Sequence, residues 1–161
     1  MADTEMIQEK IGEALGLEKA AQKAVEELDS RGLLKSEHIK KLSKMKEEAG
    51  TQEEEMQSLV EELSDSDGFD PSKIEEKAEE TAEKASKIME TYLGEDPDTQ
   101  EALEFLCLAE GGEVTHYEVL TSVAKQVKNK KFGTRVRAIL KEEQRHLALC
   151  TKLAKTNASE E

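Results

Sequence analysis

Two of the positions that a helix should bury in this chain carry charge. In ILKEEQRHLALC, helical spacing places Val136, Ile139, Glu143, His146, Cys150 and Leu153 on one stripe. The preceding segment does the same with Leu106, Glu110, Glu113, Tyr117, Leu120 and Ala124, and the first with Ile7, Ile11, Ala14, Glu18, Ala21, Val25 and Leu28. A charge on a buried stripe is costly unless it is paired or bound to a metal. Inward Glu together with Glu-x-x-His, on several helices of one bundle, is the ligand pattern of a carboxylate-bridged dinuclear metal centre. This constraint is tighter than any other in the sequence.

The rest of the composition suits a helical fold. Charged residues make up 37% of the 161, aromatic residues only 3%, and there are two prolines, so the core must be built from Leu, Ile, Val, Ala and Met. A net charge of −14 argues against nucleic acid or an anionic membrane as partner, because both need a basic face. No apolar run approaches the ~20 residues that span a bilayer, and MADTEMIQEK lacks the apolar core of a signal peptide. A cytoplasmic protein is expected. Cys107 and Cys150 are far apart on apolar stripes and read as buried, reduced thiols. Without Cys-x-x-Cys, no rubredoxin-type iron site is attached.

Five helices are predicted in one domain over 1–161. The first runs from about Thr4 to Ser30, with Gly32 as its stop, and the second from a Ser36 cap to about 64. SDSDGFDPS is turn chemistry. A third, largely polar helix spans 72–93 with Ser72 as cap; Ile74, Ala78, Ala85, Ile88, Met89 and Tyr92 form its apolar side, and it is expected on the outside of the bundle. Thr99 caps a fourth helix that reaches about Lys128, KNKKFG turns the chain, and the fifth runs from Thr134 to about Lys155. The tail 156–161 is expected to fray. The layout is two helical hairpins, 4–64 and 99–155, joined by a long crossover with its own helix: an all-α, antiparallel four-helix bundle of the ferritin-like kind.

Residues on antiparallel helices lie level when they are equidistant from the turn. About a turn centred near residue 128, Glu110 faces His146 and Glu113 faces Glu143, so four ligand-type side chains meet at one depth. His116, in EVTH, forms a second Glu-x-x-His and is a candidate for the edge of the site, as is Tyr117. In the first hairpin Glu18 should face Glu48; Glu47 and Glu53 are alternatives, Gln52 is a neutral oxygen donor nearby, and no histidine follows any of these three glutamates at i+3. His38 is too near the start of its helix to share this depth.

KEEQRHLALCTKLAK resembles the last helix of the rubrerythrin and ferritin-like superfamily, and the thirty-three-residue step from Glu110 to Glu143 resembles the step between corresponding ligands there. Glu110-x-x-Glu113 looks like the paired carboxylates of its third bundle helix. GLEKAAQKAVEEL resembles the opening helix of the YciF-type ferritin-like proteins, which also insert a polar helix in the crossover. EEAGTQ is similar to their second-helix motif EETHGQ, with Gly50 where that motif has His. The resemblance covers most of the chain loosely and is specific only in the fifth helix and its spacing partner. It implies di-iron ligands at Glu18, Glu110, Glu113, Glu143 and His146, with Glu47 or Glu48 from the second helix.

The expected function is therefore that of an iron (di-iron) or iron–manganese carboxylate protein that handles peroxide or oxygen, or oxidises iron, in a stress response. Its expected partners are the metal ions, the oxidant, an external electron donor and a second copy in a homodimer. The rival is a non-catalytic helical binding or scaffold protein with a degenerate site.

Overall fold

Every element is a helix, and all but α2 begin where a short Asp or Asn side chain accepts from a free backbone amide. The structure, a computed structural model, describes residues 3–160. Met1, Ala2 and Glu161, the outermost residues of the expected domain and tail, lie outside the described residues. The order is α1 (Thr4–Ser30), α2 (Ser36–Ser66), α3 (Pro71–Leu93), α4 (Thr99–Ala124) and α5 (Lys130–Glu160). Asp3 caps α1 by accepting from the Met6 amide at 2.8 Å. Gly32, at φ +70°, lets the chain leave α1 in the left-handed conformation that a helix end favours.

Three expected caps move by one or two residues. Lys35, not Ser36, is the N-cap of α2, and its amide donates to His38 Nδ1 at 3.3 Å. Asp70 caps α3, with Pro71 in the first turn, and Asp98 caps α4 by accepting from the Glu101 amide at 2.8 Å. In both of the latter cases a carboxylate outcompetes the hydroxyl beside it, because negative charge also favours the positive end of the helix dipole.

Helix α4 stops at Ala124, four residues short of the expected end. Helix α5 starts at Lys130 rather than Thr134, because Phe132, expected in the turn, is fully buried. The expected frayed tail is helical to Glu160. Asn157 anchors it: Oδ1 accepts from Lys35 Nζ at 2.7 Å and Nδ2 donates to Gln100 Oε1 at 2.8 Å.

Helix α1 packs on α2, α3 and α4, and α5 packs on α4 and α2, so α1, α2, α5 and α4 close a ring with α3 laid along α1. The α1–α3 contact is tight because Gly12 and Gly16 lie in it. A Cβ on Gly16 would stand 2.5 Å from the Ala78 carbonyl oxygen. On α3, Ile74, Ala78, Ala82, Met89 and Leu93 are buried, whereas Ile88 and Tyr92, expected on its apolar side, are exposed.

The core is in two parts. One cluster holds Ile7, Ile11, Leu15, Met56, Leu63, Ile74, Leu120, Phe132 and Ile139; the other holds Val25, Leu28, Leu42, Met45, Leu93, Leu103, Leu106 and Cys150. All five helices contribute to both clusters. Between them lie Glu18, Ala49, Gln52, Glu110, Glu113, Glu143 and His146, all buried. No helix among the described residues is long and apolar enough to cross a membrane.

Candidate metal centre

The layer between the two apolar clusters brings together acids from three helices. Glu110, Glu143 and His146 form one triad and Glu18, Glu113 and Glu143 another; within each triad the three ligand-type atoms all lie within 4.8 Å of one another. Glu143 belongs to both. The level pairing expected across the α4–α5 turn is the pairing that α4 and α5 adopt, and α1 adds Glu18 from the side. All five residues are 3% exposed or less.

Their polar atoms are almost wholly unmatched. Among the described residues, ten buried side-chain atoms have no hydrogen-bond partner, and eight of them are Glu18 Oε1 and Oε2, Glu110 Oε2, Glu113 Oε1 and Oε2, Glu143 Oε1 and Oε2, and His146 Nδ1. The other two are Tyr117 Oη and Gln52 Oε1. Buried polar atoms are nearly always paired, and a cluster of orphans calls for a ligand or shared protons. A cation fits this donor set. Metal–ligand bonds of ~2.0–2.2 Å hold two ligand atoms no more than ~4.4 Å apart, so a cation would draw the members of each triad together.

Protons are the alternative filling, and electrostatics shows how they would be arranged. Burial first, and then the charge of Glu143, push Glu18 and Glu110 well above the ordinary carboxyl range; burial and the charges of Glu110, Glu18 and Glu143 do the same to Glu113. Glu143 goes the other way. Burial would raise it, but hydrogen bonds from protonated Glu113, from His146 and from protonated Glu110 and Glu18 together outweigh burial and hold it ionised. His146 is lowered by burial but raised more by Glu143 and Glu48, so it is raised overall. Without a cation, protons would be shared unevenly in the cluster: Glu18, Glu110 and Glu113 hold them more readily than an ordinary carboxyl group, and Glu143 less readily. Tyr117 is raised by burial and by the charges of Glu18, Glu113 and Glu143, which keeps its hydroxyl protonated against the acids.

The two nitrogens of His146 have separate surroundings. Nδ1 faces the acids, 3.6 Å from Glu143 Oε2 and 4.0 Å from Glu110 Oε2. Nε2 lies 3.1 Å from Glu48 Oε1, and Glu48 Oε2 in turn lies 3.5 Å from Arg145 Nη2. An imidazole that donates one N–H to a carboxylate presents the other nitrogen as a fixed, more basic ligand. Glu48, expected as a ligand, therefore sits behind the imidazole rather than among the two triads. It leans to the α5 side of α2, where His146 and Arg145 meet it.

The remaining candidates lie elsewhere. Glu47 is exposed. Glu53 accepts from Gln22 Nε2 at 2.8 Å and Gln57 Nε2 at 3.1 Å. His116 is 3.6 Å from Glu13, on the outer side of α4. Helix α2 reaches the central layer with Ala49 and Gln52, and Gln52 Nε2 donates to Glu142. Gly50 is turned toward α1: a Cβ there would meet Gln22 Oε1 at 3.2 Å. The pairs Glu48–His146 and Gln52–Glu142 were not foreseen. Both cross from α2 to α5, two helices with no short turn to set their register.

Neither a family model nor a curated protein nor a solved structure matches this chain.

Proposed function

We propose that this chain is a ferritin-like carboxylate protein of the cytoplasm that holds two iron ions, or iron and manganese, and uses them on peroxide or oxygen, or oxidises Fe(II) as substrate, in a stress response. The single observation that carries the reading is the set of eight unmatched ligand atoms converging from α1, α4 and α5 between two apolar clusters. Mixed carboxylate and imidazole donors suit iron and manganese. The closed ring of α1, α2, α5 and α4, with α3 in the crossover, is compatible with the ferritin-like arrangement.

In this reading Glu143, common to both triads, would be shared by the two ions; Glu110 and His146 Nδ1 would help hold one, and Glu18 and Glu113 the other. Glu48 fixes the imidazole plane through Nε2, and Tyr117 offers a hydroxyl proton beside Glu18. The apolar clusters on either side keep water out and hold the acids in place. Bound iron would supply open coordination positions and the electrons that reduce an oxidant. Further electrons would come from an external donor. The functional assembly proposed is a homodimer.

Anaerobic titration with Fe(II), followed by elemental analysis, should give about one to two irons per chain, as in bundle di-iron sites. Exposure to hydrogen peroxide or oxygen should then oxidise that iron. Absence of tight iron, manganese or zinc would leave the rival, a scaffold whose acids are neutralised by shared protons; the lack of an acid or histidine on α2 between the two clusters is the observation in its favour.

A further inference from the structure

We propose that the groove between α1, α3 and α4 is a binding site for an uncharged, hydrocarbon-rich small molecule, whose inner end rests against Glu113. The groove has a physical origin. Gly12 and Gly16 press α1 against α3 near Ile74 and Ala78. One to two turns further on, the facing residues are Ala20, Ala24, Ala85, Ala109 and Gly112, and side chains this short do not close the space between the helices. A cavity of about 290 Å³ remains, with Glu113 at its inner wall. Its rim includes Ile88 and Leu108, two of the few exposed large apolar residues in the chain.

Size and lining indicate the ligand. Sites for small molecules hold roughly 300–1,000 Å³ and are mostly apolar with few polar groups; this cavity is at the small end. A dry apolar cavity of about half its size already takes up benzene. Its polar lining is confined to Lys23, Ser86 and Glu113. Glu113 directs its carboxyl group at the acid cluster.

Desolvation excludes ionic occupants. The charges of α3 beside the groove are partnered on that helix, Lys84 with Glu80 at 3.2 Å and Lys87 with Glu83 at 3.6 Å. An ionic ligand would exchange its hydration for a lining that is almost wholly apolar. The inference goes beyond metal binding and does not depend on it.

The test uses the full chain and the uncharged dye N-phenyl-1-naphthylamine. Saturable binding of one dye per chain, displaced by 1-octanol, is expected. Gly112→Leu should weaken it about tenfold, the equivalent of two methylenes of lost contact. A Cβ at Gly112 meets nothing within 4 Å, so the leucine grows into the cavity without moving backbone. Ala85→Leu, filling the groove from the opposite wall, should give the same loss. Gly111→Leu, equally unobstructed but outside the groove, should leave binding unchanged. Circular dichroism confirms that each variant is folded. The proposal is overturned by any of four results: no saturable binding, dye binding indifferent to both filling variants, displacement by octanoate in preference to octanol, or a wild-type dimer in sedimentation that Gly112→Leu dissociates.

Discussion

Glu113→Leu should make the metal-free protein more stable. Glu113 is 1% exposed; as a carboxylate both of its oxygens are unmatched beside Glu18, Glu110 and Glu143, and it can bond Glu143 only by taking a proton from neutral solvent. Leaving a buried polar group without partners costs on the order of 1–3 kcal/mol, and leucine has a similar size without that cost. For a chain of this length, at roughly 2–4 °C per kcal/mol, the metal-free melting temperature should rise by roughly 2–12 °C. Wild-type protein should also gain from metal. At a hundredfold excess over the dissociation constant, a ligand that binds only the folded form adds about 2.7 kcal/mol, or roughly 5–11 °C. The variant, which lacks one member of a triad, should lose that response. The assay is a set of four thermal melts at neutral pH: wild type and Glu113→Leu, each with and without Fe(II) or Mn(II) under anaerobic conditions. A variant that melts below metal-free wild type, or that responds to metal as wild type does, would refute the assignment of Glu113 to a buried acid cluster.

Metal-free protein should become more stable as pH falls from neutral. Glu18, Glu110 and Glu113 are raised above the usual 4.5, so their contribution is complete below that value and lost as pH rises through their folded values; urea melts from pH 7 to 5 that show falling stability would contradict this. His146→Ala should remove most metal binding and His38→Ala none, since His38 is held at the start of α2 by Lys35, and elemental analysis reads both. Glu48→Gln should weaken metal binding by about 10–100-fold without abolishing it, as loss of a partner behind a ligand does; an unchanged affinity by isothermal titration would deny Glu48 its role behind the imidazole. Asn157→Ala should lower the melting temperature by the equivalent of about 1–2 kcal/mol, because it removes the hydrogen bonds to Lys35 and Gln100; an unaltered melt would mean that the end of α5 contributes little.

Local signals carried the elements, and hairpin geometry carried half of the centre. The helical stripes placed Glu18, Glu110, Glu113, Glu143 and His146 inward, because four glutamates and a histidine interrupt otherwise apolar helical spacing. A short turn between α4 and α5 sets their register, so Glu113 could be put opposite Glu143 by counting. No such counting reaches from α2 to α5. Glu48 behind His146 and Gln52 beside Glu142 depend on how two halves of the molecule dock, which is a property of the packed core. Helix ends failed for a related reason. Asp70 and Asp98 beat the hydroxyls after them through charge, a local effect that the residue types allowed to be read. The tail, in contrast, is helical through Asn157 and its distant partners Lys35 and Gln100, which no local pattern announces.

The division of the apolar core has a consequence for traffic. Leu120, Phe132 and Met56 close one end of the molecule, and Leu28, Leu42 and Leu103 the other, all less than 1% exposed. Each end acts as a stopper, and the acids between the stoppers cannot be reached along the long axis. What arrives must come through the flanks, between one helix and the next. Two flanks come close. On one, small residues leave the passage that stops at Glu113; on the other, a shallow hollow between α2 and α5, lined by Lys41, Lys44 and Arg145, opens onto Glu48 and His146. The first is lined almost wholly by apolar side chains and the second is rimmed by basic ones, so the two flanks of the centre offer a visitor opposite chemistry.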